Sequence, residues 1–241
     1  VVLDNYYNNE WRSDSTGVSV RYHYLWQDTA NSGFSILGKI VTGLGAQIDT
    51  LCRRPDLKNL READVYVIVD TDTPKESEHP MAIDSAAARD VASWVHDGGV
   101  LVLMGNDKGN ADLQGLSLLS AHFGIRFNED SRNRVVGKDF QTGTFQQFPD
   151  HPLFRGVRKV YLKEISTLAV KSPARPLFTE RTDIIMASAR YGKGLVFAVG
   201  DPWLYNEYID ARKLPDEYDN ARAAKHLFRW LLYHARVRHQ R

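Results

Sequence analysis

A single cysteine, Cys52, occurs in 241 residues, which excludes an internal disulfide, a disulfide scaffold and a cysteine-rich zinc site. Export is not excluded thereby, because a core of this size needs no covalent staple. No apolar run approaches the ~20 residues of a membrane span. Net charge is almost absent: 31 basic residues stand against 30 acidic ones, +1 overall, so composition points to neither nucleic acid nor an anionic membrane as a partner. The basic tail "RVRHQR" (236–241) reads as a solvated end. Repeats and low-complexity segments are missing. The eight histidines do not cluster, and His226 and His234 stand eight apart rather than four, so no helical metal pair is present. The chain opens on "VVLDNYY" with no initiator Met, which suggests a fragment of a longer polypeptide from which an export signal could have been lost.

What is present is an ordinary globular balance, 43% hydrophobic and 25% charged, enough for one domain over 1–241, with two small ones as the alternative. The N-terminal half alternates short apolar runs with helical patterns. "VVLD" reads as a strand; Phe34, Leu37, Val41 and Leu44 share a helical face stopped by Gly45. "AQIDTL" and "ADVYVIVD" read as further strands, the second buried and ending in Asp70. Asp84 caps a helix carrying Ala88, Val91, Ala92 and Val95, and "GVLVLMG" follows as a strand. Asp112 caps the next helix, which ends at Gly124. This βαβα rhythm predicts a parallel sheet covered on both faces, with ligands outside the carboxyl ends of its strands. From about 125 to 199 the pattern turns β-rich, with a hairpin turn at Tyr191–Gly194, and a last helix runs from about Asp219 to Ala235.

Four strand exits are unusually polar. The first strand leads into Asp4, Tyr7, Asn9, Glu10 and Trp11. "LVLM" leads into Asn106 and Asp107, and "IRF" into Glu129, Asp130, Arg132 and Arg134. The last strand opens into "GDPWLYNEY", with Asp201, Trp203, Tyr205, Asn206 and Glu207. If these exits converge, aromatic faces could cover a sugar ring, amides and carboxylates could bind its hydroxyls, and Arg132 and Arg134 could hold a uronate. The plainer alternative is that Asn, Asp and Gly build turns while the aromatics pack beneath loops.

For catalysis, the strand-to-helix elbow "GNDKGN" offers neither Ser nor Cys, and Cys52 reads as an incidental thiol. A paired-carboxylate hydrolase stays open, with Asp107 and Glu207 foremost among Glu10, Asp107, Glu129, Asp130, Asp201 and Glu207. No cofactor is expected. Calcium is conceivable through Asp4, Asp107, Asp130 and Asp201, although no EF-hand spacing supports it.

The segments "YYNNEW", "WQDTANSGFS", "DGGVLVLMGNDKGNAD", "FGIRFNEDSRNRV" and "GKGLVFAVGDPWLYNEY" resemble the C-terminal domain appended to bacterial unsaturated rhamnogalacturonyl hydrolases of glycoside hydrolase families 88 and 105. The resemblance runs from Val1 to about His234. It implies a three-layer flavodoxin-like fold similar to class I glutamine amidotransferases, with a β-rich insertion. At the elbow Asn106 and Asp107 replace the amidotransferase cysteine, so glutaminase activity is not expected. The family's glycosidase barrel has no counterpart in this chain. The resemblance further implies a parent protein acting on pectin or related uronides, exported to the periplasm or cell surface. The resulting expectation is an accessory domain that binds acidic or rhamnose-containing oligosaccharide beside a covalently linked hydrolase. A hydrolase in its own right, and a structural module packing on the barrel, are the alternatives.

Overall fold

The computed structural model describes residues 1–238; the end of the basic tail, 239–241, lies outside the described residues. In chain order the elements are β1 (Val2–Asp4), β2 (Trp11–Ser13), β3 (Ser19–Arg21), α1 (Ser35–Gly43), β4 (Asp49–Leu51), β5 (Val65–Val69), α2 (Ser85–His96), β6 (Val100–Met104), α3 (Leu113–Ser120) and β7 (Ile125–Phe127). Then come β8 (Thr144–Phe145), β9 (Val160–Tyr161), β10 (Leu168–Val170), β11 (Ala174–Glu180), β12 (Asp183–Tyr191), β13 (Gly194–Val199), α4 (Asn206–Ile209) and α5 (Asn220–Arg238). The result is a mixed α/β fold with a mostly parallel central sheet.

The parallel part runs β4-β1-β5-β6-β13. Its inner strands, "VYVIV" and "VLVLM", are buried at every position, as strands covered on both faces must be. Alternation sorts their side chains: Val65, Val67 and Val69 face a core that includes Leu37, Trp203 and Phe228. Tyr66 and Ile68 face the other core, with Val91 and Leu116. The β-rich stretch extends this same sheet through antiparallel β12, β11, β10 and β7, while β8–β9 and, near the N-terminus, β2–β3 form separate ribbons. The Gly192–Lys193 turn joins β12 to β13, with Tyr191 opposite Gly194.

Two helices carry their own caps. Asp84 Oδ1 accepts from the amides of Ala86 and Ala87, and the Asp112 side chain from that of Gly115. Helix α1 has Phe34 at its cap position and no side-chain cap of its own. Its first-turn amide at Ile36 donates instead to Asn206 Oδ1 at 2.9 Å, from 170 residues away.

Candidate functional site at the carboxyl edge

From β1 the chain passes to β4 on one side and then crosses to β5 on the other. The strand order therefore reverses between β1 and β5, and in open α/β sheets the ligand crevice lies outside the carboxyl ends at such a reversal. Here the two exits are tied together. Asn8 Nδ2 donates to the Asp70 carbonyl at 2.8 Å, the Asn9 amide to Asp72 Oδ2 at 3.0 Å, and the Asp72 amide to the Tyr7 carbonyl at 2.9 Å.

The segment after β3 closes over them. Tyr24 Oη donates to Asp70 Oδ2 at 2.5 Å, and Asn106 Nδ2, from the β6 exit, donates to the same oxygen at 3.1 Å. His23 Nδ1 lies 2.6 Å from Glu10 Oε1. Three non-glycine residues of this knot have positive φ, His23 at 61°, Tyr24 at 45° and Asp70 at 45°. Such conformations each cost about 1–3 kcal/mol and persist where the surroundings over-determine them.

Carboxylates accumulate here with little solvation. Burial pushes the Asp70 carboxyl well above the usual range, against the hydrogen bonds from Tyr24 and Asn106. Burial likewise raises Asp72 to about 7, and the charges of Glu10 and Glu76 add to the effect. Glu10 moves the other way: burial works against its charge, but the hydrogen bonds from His23 and Tyr22 outweigh it. The buried Oδ1 atoms of Asn8, Asp70 and Asp72 have no hydrogen-bond partner. The arrangement can hold protons near neutrality, and Asp72 also lines a depression of about 240 Å³ shared with Lys108 and Asp112. Sequence reading passed over His23, Tyr24 and Asp72; the signal available was "DTDT" after β5, a fifth polar exit.

Most of the expected site residues are used internally. Asp4 is fully buried, accepting from the amides of Tyr6 and Tyr7 and from Tyr66 Oη at 2.5 Å; burial raises it to about 6. Tyr7 is buried. Asn9 Oδ1 takes the Trp11 indole at 2.9 Å and Arg21 Nε at 2.8 Å. Asp107 accepts from Asn110 Nδ2 at 2.6 Å and from the Ser131 hydroxyl, so the β6 and β7 exits do meet. Glu129 is exposed and takes Gln114 Nε2 at 3.1 Å. Arg132 is ion-paired with Glu180 and, at 2.5 Å, with Asp183, which leaves no free fork for a uronate. Arg134 is exposed.

The last exit turns inward. Gly200 is required by close approach, since a Cβ there would meet the Ser166 carbonyl oxygen at 1.7 Å. Asp201 is buried and accepts the Lys163 amide at 2.7 Å. Trp203 is 0% exposed and Tyr205 only 9%, so neither is the sugar platform expected of them. Asn206, also 0% exposed, donates to the carbonyls of Asp28 and Ala30 at 2.9 and 2.8 Å while capping α1. Glu207 is paired with Lys213 at 2.6 Å. Trp11 alone among the expected aromatics is open, at 55%, on the β2–β3 hairpin. The conceivable calcium set fails as well: Asp4, Asp107, Asp130 and Asp201 are each bound elsewhere, Asp130 by Thr167. Among the described residues no group of three or more His, Cys, Asp or Glu could hold a metal ion.

No family model and no curated protein matches the chain. Solved structures do. The mmIFT52 N-terminal domain is similar over 96% of this chain and 96% of its own, with TM-score 0.69 and 17% identity. The cytoplasmic protein STM1381 from Salmonella typhimurium LT2 is similar over 95% and 98%, with TM-score 0.62 and 13% identity. The exo-β-1,4-mannosidase Op5Man5 from Opitutaceae bacterium strain TAV5 is similar over 92% of this chain but 34% of its own, with TM-score 0.52 and 14% identity. At these identities the likeness is one of fold.

The expected partners are corrected accordingly. Most of the side chains assigned to an oligosaccharide are buried, bonded internally or ion-paired, the exposed Trp11 ring and Arg134 apart. The mmIFT52 domain and STM1381, similar over nearly both lengths, are neither rhamnogalacturonyl hydrolases nor amidotransferases by name, so a linked hydrolase is without support. Among the described residues no helix is long and apolar enough to cross a membrane.

Proposed function

We propose that this chain is a non-catalytic α/β interaction module, built on a flavodoxin-like strand order whose ligand edge has been turned into structure. The observation that carries the reading is the elbow after β6. Asn106 and Asp107 stand where an enzyme of this layout seats its nucleophile, and both are engaged: Asn106 with Asp70 and with the Asp107 amide, Asp107 with Ser131 and Asn110. The other carboxylates that a hydrolase would pair are likewise dispersed into separate bonds, Glu10 with His23, Glu129 with Gln114, Asp130 with Thr167, Asp201 with the Lys163 amide and Glu207 with Lys213.

One observation favours a second reading, general acid–base chemistry at the strand reversal: Asp72, raised to about 7, borders the depression beside Lys108. A turnover assay separates the two. Purified chain incubated with glutamine and with panels of nitrophenyl esters and glycosides is expected to release nothing above the buffer rate. Release that disappears in Asp72→Asn or Asp107→Asn would sink the module reading.

A further inference from the structure

Helix α5 has no acidic residue from Asn220 to Arg238, while Arg222, Lys225, Arg229 and Arg236 all lie on it. Two adjoining cavities open along its outer side, of about 470 and 650 Å³, and both are lined by Trp230 and His234. Arg155 and Arg229 border the first, Arg175 and Arg190 the second, and neither lining contains an Asp or Glu. Among the described residues none of these four exposed arginines makes an ion pair with a carboxylate; Arg190 donates to His234 Nδ1 at 2.8 Å. The chain as a whole is balanced at +1, so two linings with four arginines and no acid are a segregation of charge, with Asp150 beside His151 as the neighbouring carboxylate, and like charges so gathered repel one another.

The floor between the arginines is aromatic. Trp230 packs edge-to-face with His151 at 5.3 Å and His234 at 5.2 Å, and Tyr233, 63% exposed, lies 5.4 Å from His234 between ring centres. Burial and the neighbouring Arg190 lower His234 to about 4, and burial and Arg229 lower His226, so near neutrality the positive charge belongs to the arginines. Trp, Tyr and Arg together are the side chains that dominate protein interfaces.

We infer that the α5 groove docks an acidic, aliphatic-containing segment of a partner protein, its apolar side chains on Trp230 and Tyr233 and its carboxylates on the forks of Arg155, Arg229, Arg175 and Arg190. This rests on the module reading and supplies its partner chemistry. Arginine forks match carboxylates in bidentate geometry. A single-stranded nucleic acid would need a run of open ring faces for its bases, whereas Trp230 is flanked by two imidazoles and Tyr233 is the one strongly exposed ring of the two linings. An anionic membrane is a flat partner and leaves a concave floor unfilled.

The test uses the full chain and a fluorescein-labelled 12-residue peptide of Glu-Glu-Leu repeats, read by anisotropy. A Lys-Lys-Leu peptide, oligouridylate of the same length and phosphatidylserine vesicles are run beside it. Saturable binding of the acidic peptide that weakens with added salt is expected. Arg155→Glu/Arg229→Glu should weaken it about tenfold or more, and Tyr233→Ala several-fold. Arg175→Glu/Arg190→Glu repeats the test on the second cavity, should the first pair fail to fold. Absence of saturable binding, binding indifferent to charge reversal, or tighter binding of the uridylate or vesicles would overturn the inference. Turnover by the chain would overturn the module reading and leave this groove standing, so the two failures are distinguishable.

Discussion

The carboxyl edge and the α5 groove are opposites. The edge is rich in Asp, Glu, Asn, Tyr and Trp, yet outside the unpartnered Oδ1 atoms of Asn8, Asp70 and Asp72 most of its polar groups are spent on the protein itself: Asn206 caps a distant helix, Asp4 gathers two amides and a hydroxyl, and Arg132 is paired with two carboxylates. The α5 groove is drawn from scattered stretches with no evident motif, and among the described residues its arginines have no carboxylate partner. The difference teaches that the density of functional side chains marks a site less well than the number of their bonding groups left without partners.

If the edge is structure, its removal should be felt in stability. Trp203→Ala empties a fully buried indole and is expected to cost about 3–5 kcal/mol in urea denaturation; a change under about 0.5 kcal/mol would return Trp203 to the surface role first expected of it. Asn206→Ala strands the Ile36 amide and the carbonyls of Asp28 and Ala30, with an expected loss of about 2–3 kcal/mol by the same measurement.

The edge should also set the pH dependence. Asp72 is raised to about 7 and Asp4 to about 6 from an ordinary 3.8. Between those limits the folded chain binds protons that the unfolded chain has released, so stability is greatest at low pH within this window and falls as pH rises through 6 and 7. Allowing for residual solvation, the loss from pH 5 to 8 is expected to be about 1–3 kcal/mol. Asp72→Asn should flatten the part of the profile near pH 7. A profile that rises over that range would contradict the buried, protonated state.

The smallest effect belongs to the groove. Arg155→Glu/Arg229→Glu should shift stability by no more than about 0.5 kcal/mol, in the favourable direction at low salt because repulsion is relieved. Comparing thermal midpoints at low and high ionic strength checks the sign. A large destabilisation would place these arginines in the scaffold with the edge residues.

Much of the fold was legible because its signals are local. Asp84 and Asp112 precede the helices they cap, "VYVIV" and "VLVLM" carry their own burial, and Gly192 and Lys193 lie between the two strands they join. The candidate site was legible only as a set of polar exits. Nothing near Phe34 tells that its helix is capped by Asn206, and "RYHYLW" has no periodicity to announce that Tyr24 will reach Asp70. The exits of β6 and β7 do meet, through Asp107 and Ser131, but as partners for each other.

By itself, then, the sequence determined the alternation of strands and helices, the empty elbow at Asn106–Asp107 and the absence of a disulfide within these 241 residues, since each depends on residues close in the chain or on residue type alone. Tertiary structure decided the rest. Whether "GDPWLYNEY" faces solvent or core, and whether an arginine is paired or free, depends on which distant atoms arrive beside it. Long-range packing delivered the Ile36 amide to Asn206 and two carboxylates to Arg132, and brought none to Arg155, Arg175, Arg190 or Arg229.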